Sequence, residues 1–359
     1  MRKILIALIA LSMILAVGPS LVSGAYIDQS TGWEASWNTN AQVVLGGAGD
    51  STGPSGGAGV DAPIVHYAWV WPDEDTTTPG TQINCVPSGM KTGLEVKIVI
   101  SDPNGLGDIE DVKAQIIYPE DVWPWCGCPK FKVSAYEVCC DTAKAQAMLA
   151  KQAGLITGDE YDKIYYNICD QPNWTMYVAD FEMWYCEPAG YYDVLVWGVD
   201  NAFQIGAVYS IGAHQTSGFA FEFVQCLTLE YDFASLDYGN IRPQVMQYIQ
   251  GDKDLNTPLH PTLKNEGNVP IHIRIKSSPL VFVGTQYEII QFDYKFKGES
   301  AGYVADEWVD LTETLCLCNT EKLDLSVHPQ EGLPQGPYTG TFYMQIYLGS
   351  WGNVCTTQS

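Results

Sequence analysis

From residue 64 onward, short runs of alternating apolar and polar positions are separated by turn residues. IVHYAWVW (64–71), LEVKIVIS (94–101), DIEDVKAQIIY (108–118), TMYVADFEMW (175–184) and YYDVLVWGVDN (191–201) predict strands. In LEVKIVI a period of two sets Leu94, Val96, Ile98 and Ile100 on one face. The DPNG turn (102–105) follows, with Pro fixing φ and Asn-Gly accepting positive φ. Beyond Cys226, TLEYDF (228–233), VPIHIRIKS (269–277), YEIIQFDYKFK (287–297), KLDLSV (322–327) and YTGTFYMQIYL (338–348) predict a second set of strands. His272, Arg274 and Lys276 alternate with Ile271, Ile273 and Ile275, the pattern of a half-buried strand. Sharp turns are expected at Asn265-Glu266-Gly267-Asn268 and at residues 332–337. The expected class is mainly β, with two sandwich domains, residues 64–225 and 226–359.

A helical period interrupts the first set, within about residues 124–172. Asp141 is positioned to cap TAKAQAMLAKQAG, with Gly154 as its stop. Thr157 and Glu160 have the spacing of a capping box ahead of EYDKIYYNI. An αα-hairpin insertion is therefore expected, with Cys139 and Cys140 before it and Cys169 after it.

Residues 1–25 combine basic Arg2 and Lys3, an apolar run over 4–17, a Gly18-Pro19 break and small Ser23, Gly24 and Ala25. This is the pattern of a cleaved export signal, and the apolar run is shorter than the roughly 20 residues a membrane span needs. No membrane span is expected once the signal is removed. Residues 26–63, with GGAGDSTGPSGGAGVDAP, read as a flexible Gly/Ser-rich arm, because ordering so many glycines costs too much backbone entropy.

Charge narrows the partners. The chain has 18 Lys+Arg against 42 Asp+Glu, a formal net charge of −24, which becomes −26 when Arg2 and Lys3 leave with the signal. A nucleic-acid surface needs clustered cations and is excluded as an expectation. Aromatic residues make up 12% of the chain, which favours strands, where large rings fit a pleated surface. Eleven cysteines follow the signal, and in an oxidising compartment they read as disulfides: Cys85, Cys126, Cys128, Cys139, Cys140, Cys169, Cys186, Cys226, Cys316 and Cys318. Eleven is odd, and Cys355 in the polar C-terminal tail is the candidate for a bridge between chains.

SDPNGLGDIEDVKAQIIYP followed by GYYDVLVWGVDNAF resembles Ig-like sandwich modules of microbial surface proteins. PTLKNEGNVPIHIRI with KLDLSVHPQEGLPQGPYTGTFYMQIYL is similar to β-sandwich domains in exported proteins of methanogenic archaea. Together they resemble structural proteins of archaeal envelopes, the methanogen cell-sheath proteins in particular. The resemblance covers about residues 64–120 and 175–350. It implies Ig-like sandwiches, an extracellular location on the cell envelope, and other envelope components as partners.

Catalytic motifs are not found: there is no HExxH, GxSxG, P-loop or dinucleotide glycine motif, and the five histidines show no ligand spacing. No enzymatic activity and no required cofactor are expected. Asp252, Asp254 and Asn256 open a loop like that of a calcium hand, but Thr257 and Leu263 stand where that motif needs Gly and Glu. Ca²⁺ or another divalent cation is expected at most as a weak screen of the acidic surface. Asn173 opens an Asn-Trp-Thr glycosylation sequon.

The expected function is a structural subunit of an extracellular protein layer, whether cell sheath, S-layer-like array or filament. It would self-assemble as a homopolymer through strand edges and disulfides. The proposed edge is the uncharged run 338–348, carrying Tyr338, Thr341, Tyr343, Gln345 and Tyr347. The alternative is a secreted carbohydrate- or ligand-binding module using Trp69 with Trp71, or Trp123 with Trp125, as a stacking platform.

Overall fold

The computed structural model describes residues 62–119 and 129–351. The chain divides between Cys226 and Leu227 into two compact units. The architecture is mainly β, of the sandwich type, built from several largely antiparallel sheets. The export signal, nearly all of the N-terminal arm, Trp123, Trp125, Cys126, Cys128 and Cys355 lie outside the described residues.

In the first unit one sheet runs β1 (Ile64–Trp71), β3 (Lys91–Ser101), β7 (Trp174–Trp184), β6 (Tyr136–Val138). The second runs β2 (Thr81–Ile83), β10 (Phe221–Phe223), β8 (Gly190–Asp200), β4 (Ile109–Ile117), β5 (Pro129–Ser134), with β9 (Tyr209–Ser210) against β8. Alternation decides what each strand buries. Leu94, Val96, Ile98 and Ile100 of β3 share one core with Val112, Ala114 and Ile116 of β4 and with Val194 and Val196 of β8. The sheets approach closely at Gly198, where a Cβ would lie 2.6 Å from Ile100 Cδ1. The opposite face of β3 is covered too: Val99 joins Trp69 and Met176 against two helices, α1 (Cys140–Gln152) and α2 (Gly158–Asn167). Lys97, on that face, is almost fully buried and pairs with Glu95.

Helix α1 presents Ala143, Ala147 and Ala150 to the sheet, spaced four and three residues apart on one face. It begins two residues earlier than expected. Cys139 is its N-cap, and Asp141 lies in the first turn, where a carboxylate complements the helix dipole. Gly154 has φ +76°, the left-handed conformation that ends a helix. The capping box of α2 is fully formed: Glu160 N–H donates to Thr157 Oγ1 at 3.2 Å, and Thr157 N–H donates to Glu160 Oε2 at 2.7 Å. A four-residue helix, α3 (Ile211–His214), follows β9.

The second unit has a six-stranded sheet of β11 (Leu229–Tyr231), β13 (Thr262–Asn265), β20 (Thr320–Val327), β17 (Gln291–Phe296) and β18 (Glu299–Val304), with β12 (Tyr248–Ile249) against β20. Its second sheet is β19 (Val309–Leu315), β14 (Ile271–Ser277), β22 (Phe342–Leu348), with β14 in the centre. A small ribbon joins β16 (Glu288–Ile289), β15 (Leu280–Phe282) and β21 (Tyr338–Thr339). Ile271, Ile273 and Ile275 of β14 share a core with Phe292, Tyr294 and Phe296 of β17 and Leu323, Leu325 and Val327 of β20. The run 338–348 is not one strand. It divides at Gly340 and Thr341, because Tyr338 and Thr339 pair with β15 while Phe342–Leu348 pair with β14; Gly340 sits at the crossing, where a Cβ would meet Leu280 Cδ2 at 2.7 Å and the Pro279 carbonyl oxygen at 2.8 Å. Tyr338 therefore belongs to the ribbon, where its hydroxyl donates to the Pro334 carbonyl at 3.0 Å and its ring meets Phe282.

Candidate assembly edge

Strand β22 is uncharged along all seven residues, FYMQIYL, and pairs with β14 alone among the described residues. Its ends are tied back toward β14: Ser278 N–H donates to the Thr341 carbonyl, and Gly349 N–H to the Pro270 carbonyl. Thr341 N–H donates to Ser278 Oγ, so Thr341 anchors the strand and does not extend its free edge. The pleat then sorts the side chains. Phe342, Met344 and Ile346 pack on the core, while Tyr343, Gln345 and Tyr347 are exposed.

The outer face of this sheet carries a set of cations held by aromatic rings. Register pairs His272 with Tyr347, Arg274 with Gln345 and Lys276 with Tyr343. Arg274 Nε and Nη2 both donate to Gln345 Oε1, at 2.9 and 2.6 Å. Lys276 Nζ lies 4.8 Å from the Tyr343 ring and 5.1 Å from that of Trp308, inside cation–π range. Partial burial and a hydrogen bond to Asp310 hold the Tyr347 hydroxyl above the usual phenol range.

Other sheet edges are blunted in ways β22 is not. Opposite it, β19 carries Asp310 and Glu313. Strand β1 is also uncharged, but Thr81 Oγ1 donates to its Val70 carbonyl at 3.2 Å, and Tyr209 makes a hydrogen bond to the Ala68 backbone. β5 carries Lys132, β18 carries Glu299, and β6 and β11 are three residues long. Charge, side-chain capping and shortness are the devices that keep edges from pairing.

The cysteines sort differently from their expectation at one position. Cys85 bonds to Cys226, with Cα atoms 6.2 Å apart, and Cys140 bonds to Cys169, with Cα atoms 5.7 Å apart. Cys186, Cys316 and Cys318 are disulfide-bonded as well. Cys139, expected among the bonded set, is instead a free and exposed thiol. Its N-cap position explains this: the sulfur turns back to Thr142, 3.0 Å from Oγ1, while the adjacent Cys140 points to Cys169. Those Thr142 hydrogen bonds, side chain first and backbone second, hold the thiol below its ordinary pKa. Disulfides of this kind belong to an oxidising environment, and among the described residues no helix is long and apolar enough to cross a membrane.

Asp252 accepts from Asp254 N–H, Thr257 Oγ1 and Thr262 Oγ1, and Asp254 accepts from the backbone and side chain of Asn256. These carboxylates knit an exposed turn, and among the described residues no three His, Cys, Asp or Glu side chains are grouped to hold a metal. Asn173 is half-buried in the turn before β7, and Thr175 of its sequon is buried, donating to Glu137 at 2.7 Å. Trp69 is no stacking platform: it is 1% exposed, closed over by the helices, and Trp71 packs against the same cluster. His66 stacks on Trp174 at 3.9 Å and lies 2.7 Å from Ser101 Oγ, and burial lowers its pKa. Trp308, exposed and within cation–π range of Arg274 and Lys276, carries no sequence signal, because it stands outside every alternating run.

No protein-family model and no curated protein matches the chain. Among solved structures it is similar to a Niemann-Pick type C2 protein from Japanese carpenter ant, at 10% identity over 46% of this chain and 96% of that one, with TM-score 0.23. It is also similar to the secreted serine protease VesC from Vibrio cholerae, at 9% identity over 76% of this chain and 50% of that one, with TM-score 0.19. A chaperone–tip adhesin complex of CFA/I fimbriae biogenesis gives 8% identity over 79% and 84%, with TM-score 0.23. At such TM-scores these likenesses carry no argument for fold or function.

Proposed function

We propose that this chain is an exported structural subunit of an extracellular protein layer on the cell envelope, a sheath, S-layer-like array or filament, assembling with copies of itself. One observation carries the reading: β22 is a seven-residue uncharged strand at the edge of its sheet in a chain of net charge −24. Edge strands template pairing unless something blocks them, and here no charge does. The disulfides and the export-like leader support an extracellular place, and the resemblance to methanogen sheath proteins supports a structural role. Cys355 of the C-terminal tail and the free thiol of Cys139 supply groups for bridging chains. The net negative charge acts as a brake, relaxed by divalent cations or by high local concentration.

Electron microscopy and sedimentation of the purified chain over a concentration series test this. Ordered assemblies that grow with concentration or added Ca²⁺ are expected. A monomer at every concentration and salt would overturn it. A second reading, a carbohydrate- or ligand-binding module, is favoured by the exposed rings of Trp308, Tyr343 and Tyr347 beside Arg274 and Lys276. Glycan binding by a chain that stays monomeric would favour it over assembly.

A further inference from the structure

We propose that two copies pair antiparallel, β22 against β22, about a two-fold axis through Gln345; this rests on the edge-assembly reading and adds its partner strand, direction and register. Reversed about its central residue, Phe342–Leu348 is nearly its own complement. Gln345 meets Gln345, Tyr343 meets Tyr347, Met344 meets Ile346, and Phe342 meets Leu348. Paired residues of antiparallel strands share a face, so both Tyr–Tyr pairs lie on the solvent side and both aliphatic pairs on the core side. In one copy Phe342, Met344 and Ile346 already pack inward, while Leu348 on the same face is 44% exposed and would gain Phe342 of the second copy as its neighbour. Moving the axis by one residue leaves two of the seven positions unpaired and sets Tyr343 against Gln345.

Charge selects the same place. Copies of a chain with net charge −24 repel over most of their surfaces, whereas here the free strand is neutral and the strand behind it carries His272, Arg274 and Lys276. In the pair the two β14 strands stand three strand spacings apart, about 14 Å. That exceeds the screening length of about 8 Å at physiological salt, so their cations do not oppose association. The joined sheet runs β19-β14-β22-β22-β14-β19, six strands with β22 no longer at an edge. A two-fold contact is self-complementary and closes. It makes a dimeric building block, and growth into a layer then requires a second, different contact.

Cysteine cross-linking reads the register. Tyr343→Cys, Gln345→Cys and Tyr347→Cys are each made in a Cys139→Ser, Cys355→Ser background that itself gives no cross-linked dimer, checked for parental denaturation midpoint, and oxidised with copper–phenanthroline. Gln345→Cys is expected to form a homodimer on a non-reducing gel. Tyr343→Cys and Tyr347→Cys are expected to cross-link when mixed, at least tenfold more than either does alone. Like positions would sit four residues apart along the strand, roughly 13 Å, beyond disulfide reach. Phe342→Cys mixed with Leu348→Cys is a second pair with the same expectation. If each variant cross-links with itself, the strands run parallel and in register: the two-fold pairing is overturned while the edge contact stands. If no folded variant cross-links in any combination, the edge contact itself is overturned.

Discussion

Removing the Cys140–Cys169 bridge is expected to cost the first unit about 3.6 kcal/mol. The bridged residues are 29 apart in sequence. A loop of about 30 residues loses about 12 cal/mol/K of unfolded-state entropy on closure, which at 25 °C is about 3.6 kcal/mol. The packing beneath it is thin by comparison. Helix α1 offers Ala143, Ala147 and Ala150 to the sheet, all fully buried but one methyl each. At about 0.8 kcal/mol per buried carbon, the three contribute about 2.4 kcal/mol. The bridge thus outweighs the apolar contact of the helix it anchors. Cys140→Ala with Cys169→Ala in a Cys139→Ser background leaves no thiol at this site. Cys169 has φ +79°, and Ala brings a Cβ to that backbone just as Cys does, so the substitution adds no new strain. Urea unfolding gives the change in midpoint at constant m, and hydrogen exchange of residues 140–167 shows where protection falls. A loss under about 1 kcal/mol, with helical amides still protected, would refute the entropic account.

Three further outcomes are expected. Thr157→Ala removes the side-chain acceptor of the α2 capping box and should lower stability by about 1 kcal/mol in denaturant titration. Burial first, then the neighbouring Glu266 carboxyl, holds Glu230 above its ordinary pKa of 4.5. The folded state then binds the proton more tightly than the unfolded chain, so this stability is present below pH 4.5 and is lost as pH rises through the folded value. Glu230→Gln should accordingly raise the melting temperature at pH 7 and flatten its rise on acidification, and an unchanged profile would count against the cause named. Cys139→Ser combined with Cys355→Ser should remove disulfide-linked multimers from non-reducing gels of native material, whereas multimers that persist would place the bridge at another cysteine.

Strand pattern was the most legible part of the chain, because period-two burial is a local property. The run 64–71 is β1 residue for residue, and the face assigned to Leu94, Val96, Ile98 and Ile100 is the core face. The Thr157–Glu160 box was visible because both partners lie within one turn. What escaped was set by distant contacts. Short β2 and β10 carry no period of their own and pair in parallel across 140 residues of chain. Strand β19, VDLTETL, hides its Leu311 and Leu315 among charges that face solvent. The break in the 338–348 run carries no local signal, because it follows from β21 pairing with β15 while β22 pairs with β14. Similarly, no spacing rule tells which of two adjacent cysteines is the helix cap, so Cys139 was separated from Cys140 only by the direction of α1.

Placing lysines along β22 tests most directly whether copies associate through that strand. Tyr343→Lys with Tyr347→Lys substitutes two exposed positions, so the monomer should keep its circular dichroism and unfold within about 1 kcal/mol of the parent. Sedimentation velocity of parent and variant, at matched concentration and salt, should give assemblies for the parent and a monomer for the variant, because the substituted positions would face each other as like charges across the paired edges. A variant that folds and assembles to the same size at the same concentration would contradict the account.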